Sequence, residues 1–229
     1  MKRLCFLLLG GVLWAGACGA PAEAAQPTFT DSFAVDKADL ASAGKNPYWI
    51  LEPGYRLTLE DKTTVLTITV LKETRLVDGV ETRVVEERET TKGQLVEISR
   101  NYFAISRKTG DLFYFGENVD EYKDGKVVGH SGTWLSGVDG AKFGLMLPGK
   151  PVVGQRYQQE VAPKVALDRA EVVSLSESFK TPAGKFTNCL KTKESSGLEA
   201  GSATKLYAPG IGLLNDGNLK LTKHGLPPG

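Results

Sequence analysis

The sequence predicts an all-β protein: a single antiparallel meander of about ten strands that closes into a barrel, a half-barrel or a sandwich. Three observations predict it. Strand-like runs of period two recur along the chain from Tyr55 to Asp216. Turn-forming pairs such as Asp78-Gly79, Lys92-Gly93, Asp124-Gly125 and Pro209-Gly210 separate them. No long stretch carries a helical period, no repeat is visible, and no second domain boundary interrupts the 229 residues. A meander of this size has to hide its edges, and closing up is the way to do so.

The chain begins with a targeting signal: Lys2 and Arg3, an apolar run from Cys5 to Ala17, then small residues. Two cleavage readings stand. Residues 1–25 form an ordinary signal peptide with an A-x-A site at Ala22-Glu23-Ala24, or residues 1–17 form a lipoprotein signal and Cys18 is lipidated. Both place the protein outside the cytoplasm, in the periplasm, lipid-anchored to the cell envelope, or secreted. Without Lys2 and Arg3 the balance is 26 basic against 27 acidic residues, a net charge of about −1. Nothing clusters the Lys and Arg that nucleic acid requires, and contact with a membrane is expected only through a lipid on Cys18. Cys5 and Cys18 leave the thiol count with the signal or the lipid, so Cys189 is the one thiol of the mature domain, expected as a small buried apolar residue.

Residues 26–45 read as a tether, with at best a short helix between Asp36 and Ala43. The single all-β domain follows over 46–224. Its first segment, Asn46 to Gly54, is held extended by Pro47 and Pro53 and is apolar enough to plug one end of a sheet. Strands are expected at Tyr55 to Glu60, at Thr63 to Leu76 with Leu66, Ile68 and Val70 on one face, at Val80 to Thr91, and at Gln94 to Arg107. Counting back from a turn at Lys108-Thr109-Gly110 pairs Ile105 with Phe113, Phe103 with Phe115 and Asn101 with Glu117. Counting from Asp124-Gly125 sets Lys123 opposite Lys126, Phe115 opposite Trp134 and Val119 opposite His130. Phe103, Phe115 and Trp134 would then line up across three strands on the inner face, a pairing that a single β-bulge would void. The glycine-rich stretch 137–154 reads as a loop whose Phe143, Leu145, Met146 and Leu147 fold over an end of the sheet as a lid. Strands resume at Gln155 to Val161 and Leu167 to Phe179. The closing meander from Ser174 to Asp216 follows, and Leu219 and Leu221 could add a last edge strand.

Several of these segments, in order, carry a resemblance: NPYWILEPG, YFAISRKTGDLFYFGE, TWLSGVDGAKFGLMLP, TPAGKFTNCL and LYAPGIGLL. Over about residues 46–214 the chain resembles a group of uncharacterised bacterial secreted or lipid-anchored all-β proteins running from "NPYFPL-x-PGT" to "YAPGVGLV". It departs from them at Trp49-Ile50, where the group has Phe-Pro. The resemblance implies an envelope address and an all-β fold, and brings no catalytic residue or cofactor with it.

Candidate chemistry is sparse. His130 is the one histidine within the strands, and the register sets it near Glu117 and Asn101 at the end of the aromatic row; the plainer reading is a rim histidine bonded to its neighbours. Glu86, Glu87 and Glu89 lie close to Arg83, Arg88 and Arg100 and read as a solvated face laced with ion pairs rather than an acid and base. Residues 120–124 lack the oxygen ligands of a calcium loop, zinc has no ligand set, and no phosphate cradle precedes a helix. Two functions therefore compete. One is a non-catalytic binding protein that holds a lipid or other apolar molecule against Phe103, Phe115, Trp134, Glu117, His130 and Asn101 beneath the 137–154 lid. The other is a structural or interaction protein of the envelope with a fully packed core. A hydrolase is the weakest of the readings, and no metal or cofactor is called for.

Overall fold

A computed structural model describes residues 28–227. Its strands are β1 (Leu40–Ala41), β2 (Gly44–Asn46), β3 (Trp49–Leu51), β4 (Arg56–Glu60), β5 (Thr64–Val77), β6 (Val80–Thr91), β7 (Gln94–Ser106), β8 (Leu112–Lys123) and β9 (Lys126–Gly129). They continue with β10 (Trp134–Leu135), β11 (Lys142–Leu147), β12 (Arg156–Gln158), β13 (Glu160–Val161), β14 (Asp168–Thr181), β15 (Gly184–Ser196), β16 (Ala203–Ala208), β17 (Gly212–Asp216) and β18 (Leu219–Gly225). One 3-10 turn, Lys37–Asp39, precedes them. The class is all-β and antiparallel, with more strands than ten.

One large sheet runs in the order β12, β14, β15, β16, β17, β18, β4, β5, β6, β7, β8, β11, β13. Its two ends, β12 and β13, are successive segments of the same stretch: Arg156 to Gln158 pairs with β14, and Glu160-Val161 pairs with β11. The sheet is thus nearly closed into a barrel. Gly144 on β11 lets the seam form, because a Cβ there would collide with the carbonyl oxygen of Gln159. Hairpins open where the sequence sets them. Asp78-Gly79, Lys92-Gly93 and Asp124-Gly125 all have positive φ at both residues, the requirement of a two-residue turn that keeps the strands' twist.

Three expectations are corrected here. Residues 26–45 are not a free tether where they are described: β1 pairs with β7, Leu40 is buried, Ser106 Oγ donates to Asp39, and Phe33 meets Phe113 edge-on at 5.9 Å. The apolar residues of this segment find a groove that its weak periodicity did not announce. The 137–154 stretch is not one long loop, since β11 inside it bonds to β8 and its Gly144 serves the seam. The last strand is no edge, because β18 bonds to β17 on one side and to β4 on the other.

The predicted plug is a small hairpin of β2 and β3 with Trp49 and Leu51 buried; Trp49 meets Phe103 of β7 and lies beside Leu57 of β4 and Ile68 of β5. Asn46, only 1% exposed, ties it down. Its Nδ2 donates to the carbonyl oxygens of Gly110 (2.8 Å) and Pro148 (3.1 Å), while its Oδ1 accepts the Tyr48 N–H at 2.8 Å. Asn46→Ala leaves those buried groups without partners and is expected to cost about 2–3 kcal/mol. Urea unfolding of the variant measures this, and a loss below roughly 0.5 kcal/mol would show that the hairpin is held by its apolar side chains alone.

Candidate functional site

The predicted aromatic row is broken. Asn101 does oppose Glu117, but Phe103 opposes Tyr114 and Ile105 opposes Leu112, because Phe115 is the extra residue of a bulge between the two registers. Gly116 makes that bulge possible: its φ is +143°, and a Cβ would strike the carbonyl oxygen of Trp134. Phe103 therefore stacks on Tyr114 (4.9 Å), with Trp49 at 5.7 Å from Phe103 and Trp134 edge-on to Tyr114 at 5.2 Å. Phe115 points through the other face, where it stacks on Phe143 at 4.6 Å. Two further bulge shifts move Trp134 from Phe115 to a position opposite Glu117.

The remaining predicted residues separate in the same way. Asn101 accepts the Tyr114 hydroxyl proton at 2.7 Å and donates to Ser99 Oγ, inside the barrel. His130 stands outside it. Its Nδ1 lies 2.9 Å from the Val119 carbonyl and 3.1 Å from Asp120 Oδ1, and its side chain is 65% exposed. Of the predicted lid, Leu145 and Met146 are buried in the wall and Phe143 belongs to the outer aromatic stack. Cys18 lies outside the described residues.

What the barrel does enclose is a polar cluster. Lys205 on β16 projects inward between Glu194 Oε2 (3.2 Å) and Asp216 Oδ2 (3.4 Å), with 6% of its side chain exposed. The register dictates this: Thr192, Lys205 and Asp216 are cross-strand neighbours on β15, β16 and β17. Glu194 Oε1 also accepts the hydroxyls of Thr192 (3.1 Å) and Tyr207 (3.3 Å). Burial alone would lower the Lys205 pKa, but Asp216, Glu194 and Glu87 outweigh it and hold the ammonium above the usual lysine range. From across the barrel comes Glu87, which the sequence reading set on a solvated face. The pleat divides that face: Glu86 points out to Arg100, which also pairs with Asp120, whereas Glu87 points in. Burial pushes its pKa up to about 7, with Lys205 pulling the other way. Glu160 is driven well above the carboxylate range by burial and by Asp168, though it accepts the Asp168 N–H at 2.6 Å.

Two small cavities among the described residues bear on the interior. One of about 30 Å³ is lined by Tyr114, Glu117, Met146, Gln159, Glu160, Ala166, Asp168 and Glu194. The other, of about 10 Å³, lies beside Trp49, Leu57 and Ile68. Chemically the cluster is acid-rich and carries no histidine. Its lysine is held charged, which disfavours it as a nucleophile, and the Thr192 hydroxyl donates to Glu194, whose oxygens Tyr207 and Lys205 also engage. No protein-family profile, curated protein or solved structure matches the chain.

Proposed function

We propose that the protein is an exported, non-catalytic protein of the cell envelope that works through its outer surface. One observation carries this reading: the interior is occupied by the protein's own side chains. Phe103, Leu59, Leu190, Tyr207 and Leu221 are each 1% exposed or less, and the cavities of about 30 and 10 Å³ fall far below the ~300 Å³ of a small-molecule pocket. The outer face of β6, β7 and β8 offers the matching surface, with Glu86, Arg100, Asp120 and His130 in one linked row beside the exposed Val127 and Val128 of β9. The envelope address rests on the N-terminal residues read above.

The competing reading, a lipid or other apolar molecule held inside, requires the plug hairpin to leave and Trp49 to surrender its place. Native mass spectrometry of protein purified from its own envelope separates the two. The expected spectrum shows protein with no apolar passenger, and titration with a fluorescent fatty acid gives no saturable uptake. One bound lipid per chain would overturn the proposal. Reversing charge at Glu86, Arg100 and Asp120 is expected to change the set of envelope partners retained; an unchanged set would remove this face from consideration.

A further inference from the structure

We infer that the barrel end closed by the β2–β3 hairpin is a membrane-contacting face, with Val152, Val153 and Val173 seated at the headgroup boundary of a lipid bilayer and an acylated Cys18 inserted beside them. This deepens the envelope reading above and rests on its N-terminal address. Val152 is 64% exposed, Val153 58% and Val173 40%. The backbone makes them neighbours, since the Gly154 N–H donates to the Val172 carbonyl at 2.8 Å and the Val172 N–H to that of Gln155 at 2.9 Å. Val172 is fully buried, so the pleat turns Val173 outward. The loop belongs to the plugged end: Asn46 Nδ2 reaches the Pro148 carbonyl, and the Gly149 N–H donates to Asp111 Oδ1 at 2.7 Å. Single exposed valines are ordinary, but a group of them marks a contact.

Where the chain enters the fold, and the charge around the valines, say what covers them. Thr30 bridges Tyr157 in parallel: its N–H donates to the Arg156 carbonyl at 3.1 Å, and its carbonyl accepts the Gln158 N–H at 2.8 Å. Residues 28–30 thus run beside β12 in the same direction, which puts Thr28 at the Val153 end of that strand. Ten positions separate Cys18 from Thr28, a span of at most ~36 Å, so a lipid on Cys18 keeps this end within reach of the bilayer. Lys45, next to Asn46, and Lys150, two residues before Val152, are exposed and form no ion pair among the described residues. Cations flanking an apolar group suit lipid phosphates above the acyl boundary. A second copy of the chain fits less well, because a two-fold contact would gather both pairs of lysines around one small apolar area.

The test uses the natively processed protein, purified from its own envelope and reconstituted into vesicles of phosphatidylethanolamine and phosphatidylglycerol. An environment-sensitive dye is attached through Val153→Cys, or through Val128→Cys on the flank, while the buried Cys189 stays unlabelled. Lipids that carry a doxyl quencher near the headgroup are expected to quench the dye at 153 and to act roughly threefold more weakly at 128. Val152→Asp added to the 153 label keeps the anchor and is expected to cut the quenching about twofold. Intact mass of the same sample reads the anchor. Acylated protein with equal quenching at 153 and 128 would overturn the inference and leave the envelope address standing. A Cys18 without acyl chains, on protein that does not stay with the vesicles, removes the anchor and the inference together. A dimeric native mass with the 153 dye shielded yet indifferent to doxyl lipids would give the valines to a second copy, and also overturn it.

Discussion

Replacing Lys205 by methionine is expected to destabilise the barrel by about 3–5 kcal/mol, the usual result of removing one partner from a buried ion pair. The size follows from what is left behind. Glu194, with 11% of its side chain exposed, would face Glu87 and Asp216 with no cation between them. Asp216 is 29% exposed and can turn toward water, so its share of the loss is screened; that of Glu194 is not. In a domain of this size each kcal/mol lowers the melting temperature by roughly 2–4 °C, so a fall on the order of 10 °C is expected at pH 7. The charge origin is checked by adding Glu194→Gln to the methionine variant, which should recover more than half of the loss. Methionine covers the stem of Lys205, so lost packing is a small part of the effect. A loss below roughly 1 kcal/mol for Lys205→Met would mean that the carboxylates already reach solvent.

Much of this arrangement was present in the sequence as period-two logic that needed one more step. Leu190 and Tyr207 are buried cross-strand partners, and the same alternation carries Thr192 and Glu194 inward on β15 and Lys205 on β16. The charged heads concealed it, because a lysine or glutamate in a strand suggests the wet face until its neighbours two positions away are counted. Turns were legible for a physical reason: an Asp-Gly or Lys-Gly pair between strands answers a demand for positive φ at two successive residues. The bulge at Phe115 was harder. A phenylalanine carries no mark of being the extra residue, and the clue lay in Gly116, a glycine inside an otherwise aromatic strand. That one insertion returned Asn101 to Glu117 as counted while it sent Phe115 through the sheet, so the aromatic row failed although one end of it held. Density of glycine in 137–154 likewise suggested a loop, whereas Gly144 was there to let two strands close the barrel. Glu160 was beyond reach by such counting, because its position depends on the kink that splits 156–161 between two neighbours far apart in sequence.

The second large effect is one of pH. Glu87 has its pKa raised from 4.5 to about 7, first by burial, with Asp216 and Glu117 adding to it and Lys205 opposing. Between about pH 4.5 and 7 the native state therefore holds a proton that the unfolded chain has released, and stability falls as pH rises through that window. At roughly 1.4 kcal/mol per pKa unit, the loss contributed by this residue approaches about 3 kcal/mol at pH 8. Glu87→Gln keeps the shape of the protonated acid and cannot ionise. It is expected to match the parent near pH 4 and to exceed it by about 2–3 kcal/mol at pH 8, read from urea unfolding across the range. A difference that stays constant with pH would show that Glu87 is not the group that titrates. The two cluster predictions also bear on each other. Lys205 lowers the Glu87 pKa, so in the Lys205→Met background Glu87 should take its proton at higher pH, and Glu87→Gln should change stability over a window moved upward. If the pH at which the Glu87→Gln effect reaches half its full size is the same with Lys205 and without it, the side chains do not sense each other across the barrel, and the polar cluster would have to be treated as separate pairs.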